Sequence, residues 1–217
     1  MIDGFRDFDA QACSNAFRVL ALGLALPDEE IVDMAAQGVF ESEMRDALAV
    51  LGIDDGVVTA DESVQAADNA RTMWTLDALR REYTRLFSAP GGRVVPIWES
   101  AFLDPAGGAN EFGPMLIRTP QAADAKRRYE AAGVTLSSNE SADHMRIECE
   151  FACYLLAMSC RECDSERSEA WLEAFRGFSA AHLSKWFLSF CEKVARETRH
   201  PFYRELAEFG LSLACVL

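Results

Sequence analysis

Apolar residues at helical spacing constrain this chain more than any other feature of its 217 residues. One set near the N terminus recurs at i, i+3, i+4, i+7 and i+11: Cys13, Ala16, Phe17, Leu20 and Leu24. Two sets near the C terminus follow the same template: Leu183, Trp186, Phe187, Phe190, Cys191 and Val194, then Phe202, Leu206, Phe209 and Leu213. Each set would bury one face of a helix, and no stretch alternates as a half-buried strand does. The sequence therefore predicts an all-α fold, a single helical domain of about ten helices.

Capping and helix-breaking residues indicate where the first helices begin and end. Pro27 would stop the first helix, and the sequence PDEE at 27–30 places a proline and three acids where a first helical turn favours them. The second helix is expected to reach Gln37, and a third to span 41–51. A last helix is expected after Pro201.

Three longer helical segments follow from the same periodicity. An amphipathic segment is expected from about 61 to 87, with Leu76, Leu79, Tyr83, Leu86 and Phe87 on one side. Another would run from about Thr119 to a cap at Gly133. A third, from about 141 to 163, is apolar on two faces and should be central and buried.

Proline and glycine are concentrated in one part of the chain. Five of the seven prolines and five of the thirteen glycines lie between residues 90 and 120. This stretch cannot be one regular helix, because proline removes a backbone donor and clashes with the preceding turn. The sequence predicts a hinge loop at 89–120 between an N-terminal part, 1–88, and a C-terminal part, 121–217.

Charge and hydropathy narrow the classes of partner. The chain carries 21 Lys plus Arg against 35 Asp plus Glu, a formal net charge of -14. Such a surface repels nucleic acid and suits a basic or apolar partner. Its longest apolar stretches fall well short of the roughly 20 residues that a membrane helix needs. The chain begins without the basic and apolar regions of an export signal, so the expected location is cytoplasmic.

Four of the seven cysteines lie within fifteen residues, at Cys149, Cys153, Cys160 and Cys163. On one helix they would form a single stripe within about 80°, and the first and third would be about 16 Å apart along the axis. A tetrahedral metal site with bonds near ~2.3 Å cannot span that distance. The prediction is therefore a stripe of buried, reduced cysteines that pack as small apolar residues.

No other pattern indicates catalysis, a metal or a cofactor. Three histidines are present, but no nucleophile motif accompanies them. His144 and Glu148 could ligate a metal at i, i+4, yet the second histidine of HExxH is missing, and a histidine at the start of a helix is the commoner explanation. The sequence APGGRVVP at 89–96 lacks the Lys-Ser/Thr of a phosphate-binding loop and indicates a turn.

Four strings occur in the order and spacing of a known family. They are EYTRLFSAPGGRVVPIWES at 82–100, SADHMRIECEF at 141–151, FSAAHLSKWFLSF at 178–190 and FYREL at 202–206. Over most of residues 70–217 the chain resembles the TorD/DmsD/NarJ family of redox-enzyme maturation chaperones. Two positions depart from the family pattern: Ala142 replaces the usual proline before Asp-His, and Ala89 replaces the usual glycine before Pro90.

The resemblance implies a cytoplasmic, all-helical chaperone, monomeric or homodimeric, without catalytic activity. It would bind the twin-arginine signal peptide or N-terminal segment of a molybdopterin oxidoreductase precursor until the cofactor is inserted. An acidic protein with an apolar groove would complement such a basic and apolar peptide. The resemblance implies seven peptide-binding residues: Tyr83, Leu86, Phe87 and Trp98 in an apolar groove, Asp143 and His144 at polar or cationic groups, and Glu99 beside them. His182 and Trp186 are expected to pack against each other, outside the site.

Two alternatives stay open on the sequence. A helical domain that senses a small molecule would also have a cleft at the hinge. A cysteine-rich metal-binding protein would use the CREC motif at 160–163.

Overall fold

The structure is a computed structural model that describes residues 9–53, 73–88, 94–104, 119–137, 140–214 and 217. In these ranges the periodic apolar residues and the capping side chains produce ten α-helices. Those ranges contain no β-strand, and their one isolated bridge joins Trp98 to His144. The all-α prediction is confirmed. The helices are α1 (Ala10–Gly23), α2 (Glu29–Ala36), α3 (Val39–Leu51), α4 (Leu76–Tyr83), α5 (Glu99–Leu103), α6 (Pro120–Ala131), α7 (Met145–Arg161), α8 (Ser165–Ala181), α9 (Leu183–Glu197) and α10 (Pro201–Leu213).

The predicted boundaries agree with the observed caps. Asp28, directly after Pro27, accepts a hydrogen bond from Ile31 N at the start of α2. Thr119 caps α6 in the same way, and Gly133 follows that helix with a left-handed φ of 75°. Glycine suits that position because it has no Cβ to clash there.

The segment after α3 is described only in part. The predicted amphipathic helix at 61–87 begins outside the described residues. Its described part, within 73–88, contains α4 and then a π-helical turn, Thr84–Ser88. Leu79, Leu86 and Phe87 from its predicted apolar side are fully buried. Most of the predicted hinge loop at 89–120 likewise lies outside the described residues.

Helix α1 is central to the core, although its sequence carries none of the family strings. It packs along α7 and against α3, while α7 packs on α8 and α9 packs on α10. The Phe17 ring of α1 lies edge-on to Phe175 of α8 and Phe187 of α9, with centroids 6.0 and 6.3 Å away. One hydrophobic core therefore joins the first described helix to the last four.

The cysteine stripe is buried only in its first half, so this prediction was wrong for the second half. Cys149 is buried and Cys153 half-buried, but Cys160 and Cys163 are exposed. The projection assumed one helix through residue 163, whereas α7 ends at Arg161 and Glu162 is extended. In the last turn Ser159 is buried, so the inward face lies one residue before Cys160.

Among the described residues no helix combines the length and the apolarity that crossing a membrane would need.

Candidate functional site

Residues 94–98, which we call the extended segment because burial alternates along them and the backbone is extended at Trp98, hydrogen-bond to both the π-helical turn and the start of α7. Val95 N donates to Leu86 O at 2.8 Å, and Met145 N donates to Ile97 O at 2.9 Å. Val95 and Ile97 are buried, while the alternate residues Val94, Pro96 and Trp98 are partly exposed. This alternation, expected of extended backbone, turns one row of apolar side chains toward the solvent.

Asp143 organises the first turn of α5. Its backbone oxygen accepts from Glu99 N at 2.8 Å, and its carboxylate accepts from Ser100 N at 3.2 Å and from Ser100 Oγ at 2.5 Å. Ser141 Oγ also donates to this carboxylate. The residue is 1% exposed. These contacts satisfy helix-terminal donors, so Asp143 positions α5 and does not face the solvent.

His144 is the N-cap of α7. Its Nδ1 accepts a hydrogen bond from Arg146 N at 3.1 Å, and its ring lies edge-on to Trp98 at a centroid distance of 5.6 Å. Burial lowers the pKa of His144 to about 4, so the ring is neutral at pH 7. The expected helix-start histidine is confirmed.

Behind Trp98 lies a buried cluster of carboxylates, imidazole and indole. His182 Nδ1 is 2.7 Å from Glu99 Oε2, and His182 Nε2 is 3.1 Å from Asp124 Oδ2. Trp186 Nε1 donates to Glu148 Oε2 at 3.0 Å. Burial raises the pKa of Glu148 well above its usual range, and the charge of Glu99 raises it further.

Both ring nitrogens of His182 face carboxylate oxygens. A neutral imidazole has only one N–H donor, so both contacts are satisfied only when the ring carries two protons or when one carboxyl group is protonated. A neutral ring therefore donates to one of the two carboxylates and leaves the other without an N–H donor from His182.

His182 and Trp186 have hydrogen-bond partners that the sequence did not predict. His182, at the junction of α8 and α9, contacts Glu99 of the predicted site, and Trp186, one turn into α9, donates to Glu148. The packing of His182 against Trp186 stays a prediction. Glu148 was considered with His144, but the structure places it near His182 instead. A signal was available: Glu148 is an acid on the apolar side of a helix predicted to be buried.

The three apolar residues before the extended segment lie in the core. Leu86 and Phe87 are 0% exposed and Tyr83 is 6% exposed. The Phe87 ring contacts Tyr83, Phe190 and Tyr203 at centroid distances of 5.1, 6.1 and 6.1 Å. These residues support the extended segment from beneath, through the bond from Val95 N to Leu86 O.

The structure thus brings the seven predicted residues into one region but leaves few of them accessible. Trp98, Glu99, Asp143 and His144 form one contiguous group through the contacts above. Of all seven, Trp98 alone is partly exposed, and the other six are buried. Their role in binding a peptide stays a prediction.

The described cysteines form no metal-binding group. Within the ranges that the structure describes, the His, Cys, Asp and Glu side chains close enough to share an ion are Glu99, Glu148 and His182. The CREC cysteines are absent from that set, and Cys215 lies outside the described residues.

Comparison with known proteins identifies the family. The family model for the nitrate reductase delta subunit matches residues 51–192, well over half of the chain and including the extended segment, the carboxylate cluster and α7. A comparison with curated proteins gave no match. The matched range also contains three of the four strings on which the resemblance rests. The chain belongs to the nitrate reductase delta subunit family, a family of redox-enzyme maturation chaperones.

Proposed function

We propose that this protein is a cytoplasmic maturation chaperone that binds the N-terminal segment or twin-arginine signal peptide of a molybdopterin oxidoreductase precursor. It holds the precursor until the cofactor has been inserted and has no catalytic activity of its own. The observation that carries this proposal is the family match over residues 51–192.

The charge of the chain supports a basic client. Acidic residues exceed basic ones by the formal net charge of -14. A cationic peptide head is attracted to such a surface, and the attraction accelerates association more than it tightens the final complex. Binding should therefore weaken as salt screens the exposed charges.

The apolar part of the client is proposed to bind beside the extended segment. Val94, Pro96 and Trp98 present partly exposed apolar side chains there. We call these three residues the apolar strip. Amphipathic or extended peptides commonly dock their apolar side chains on such a surface.

In this proposal the buried members of the predicted site act as positioning residues. The Trp98 ring lies against His144, and the bonds from Glu99 N and Ser100 N to Asp143 fix the following turn. Tyr83, Leu86 and Phe87 form the floor beneath the segment. Trp98 is then the residue that contacts the client directly.

Replacing Trp98 tests where the client binds. Trp98→Ala should weaken the affinity for a client peptide roughly tenfold to thirtyfold, since buried interface aromatics commonly contribute about 2 kcal/mol. Leu188→Ala is the matched control, because Leu188 on α9 is 48% exposed and does not belong to the apolar strip. Titration calorimetry measures both. Equal affinities for the two variants would move the binding surface away from Trp98.

A further inference from the structure

Three buried side chains from separate elements converge behind the apolar strip. Glu99 opens α5, Glu148 lies in the first turn of α7, and His182 lies between α8 and α9. One potential ligand atom from each lies within 4.8 Å of the others. The three residues are 0%, 0% and 2% exposed, so the space among them is closed to bulk solvent.

Two carboxyl oxygens in this group have no hydrogen-bond partner among the described residues. They are Glu99 Oε1 and Glu148 Oε1, and both are fully buried. Their sister oxygens are held, by His182 Nδ1 and by Trp186 Nε1. Native proteins rarely leave buried carboxyl oxygens without a partner, because removing polar atoms from water is costly. The two unpaired oxygens therefore indicate a partner other than the side chains of the described residues.

The surroundings of His182 are those of a metal ligand. Its second nitrogen, Nε2, lies 3.1 Å from Asp124 Oδ2, and Asp124 is itself bound by Arg127 and Arg128. Histidines that ligate metals typically donate their other N–H to a carboxylate, which fixes the tautomer and the ring orientation. Trp186 fixes Glu148 similarly through its indole N–H.

We propose that Glu99, Glu148 and His182 bind one divalent first-row transition-metal ion, through one carboxylate oxygen of each glutamate and through His182 Nδ1. On binding, Nδ1 would carry no proton and would exchange its contact with Glu99 Oε2 for the ion. Two carboxylates and one imidazole suit ions such as Zn²⁺, Mn²⁺ or Co²⁺, whereas Mg²⁺ and Ca²⁺ favour oxygen-only sites. A bound ion would neutralise the buried charge and join α5, α7 and the junction of α8 and α9. The site would thereby stiffen the support of the apolar strip.

Exposed thiols must be removed before the site is tested, because Cys160 and Cys163 can bind the same ions. The experiment uses the full chain with Cys160→Ser and Cys163→Ser. The protein is unfolded, stripped with chelator and refolded with Zn²⁺ or Co²⁺ in the presence of excess Mg²⁺. Refolding gives the ion access to a site that is closed in the folded chain. Elemental analysis after gel filtration measures the bound metal.

The proposal predicts close to one ion per chain and a melting temperature several degrees above that of the stripped protein. Glu148→Gln should abolish both effects, since it removes a ligand charge while the amide oxygen can still accept from Trp186. Glu150→Gln is the matched control on the same helix, because the Glu150 side chain is 48% exposed and pairs with Arg146. That variant should load like the parent.

Two results would overturn the proposal. The first is that the parent retains no ion, which would mean that a proton alone neutralises the cluster. The second is that Glu148→Gln binds as much metal as the parent. If Glu148→Gln does not fold, Glu99→Gln gives the same test. X-ray absorption of the loaded parent also tests the ligands without any further substitution. It should show a nitrogen and oxygen shell with imidazole scattering, and a shell containing sulfur or lacking imidazole would contradict the assignment.

Discussion

Two buried clusters, one around Glu82 and one around Glu99 and Glu148, differ in how completely their carboxyl oxygens are paired. At the first, Glu82 Oε1 accepts from Arg85 Nη2, Thr198 Oγ1 and Arg199 N at 2.8, 3.1 and 2.6 Å, and Oε2 accepts from Arg85 Nε at 2.8 Å. At the second, Glu99 and Glu148 each leave one buried oxygen without a partner among the described residues. Within the residues that the structure describes, the first cluster is complete, whereas the second is not.

The pKa values follow the same division. Burial alone would raise the pKa of Glu82, but hydrogen bonds from Arg85, Arg199 and Thr198 outweigh it and hold the pKa at about 2. For Glu148 burial dominates, and its pKa is raised well above the usual range. A carboxylate with a full set of donors stabilises a fold, while one that lacks them is retained for another reason, here proposed to be an ion.

The largest effect is expected at the complete cluster. Glu82→Gln removes the charge that pairs with Arg85 and that accepts from the turn between α9 and α10. Breaking a buried ion pair on one side typically costs about 3 kcal/mol of unfolding free energy. Urea unfolding measures this change. Glu130→Gln, in the exposed pair with Lys126, is the control and should change stability by less than about 0.5 kcal/mol. Equal effects of both substitutions would remove the distinction between buried and exposed acids.

The pH dependence of the unfolding free energy should reflect the low pKa of Glu82. Because the pKa of Glu82 is lower in the folded protein than its ordinary value of 4.5, its contribution is complete above about pH 4.5 and is lost as the pH falls toward about 2. Over that interval the wild type should lose up to about 1.4 kcal/mol per pH unit more than Glu82→Gln does. Urea unfolding across pH 2 to 7 tests this expectation. Parallel curves for the two proteins would show that Glu82 is not paired as described.

A smaller effect of opposite sign is expected at the incomplete cluster. In stripped protein, Glu148→Gln should leave stability unchanged or raise it by up to about 1 kcal/mol, because the new amide can donate to the unpartnered Glu99 Oε1. Chemical unfolding of the metal-free protein gives the value. A loss greater than about 2 kcal/mol would mean that Glu148 is as fully paired as Glu82 and that the cluster needs no external partner.

Local sequence patterns predicted what depends on local interactions. Helical spacing identified α1, α9 and α10. The sequence PDEE at 27–30 and the helical pattern that begins near Thr119 marked two helix starts, where the structure has the N-caps Asp28 and Thr119. Both kinds of signal act within one or two turns, so they are readable in a single sequence. The resemblance also named Trp98, Glu99, Asp143 and His144 together, and these four residues are contiguous in the structure.

Burial and long-range pairing could not be read from the same patterns. Glu99 and His182 are 83 residues apart, and Glu82 and Arg199 are 117 apart, so no spacing rule connects them. The cysteine stripe failed for a related reason, since a helical projection carries no information on where α7 ends or where its neighbours stop.

The binding of a client is tested most directly by titration calorimetry of the full chain against synthetic N-terminal segments of molybdopterin oxidoreductases encoded beside its gene. The proposed function predicts saturable one-to-one binding to at least one segment, weakened by added salt because exposed charges contribute to the attraction. A matched peptide with its paired arginines replaced by glutamine should bind less tightly. Absence of binding heat from every such segment, at low salt and several temperatures, would contradict the proposed function.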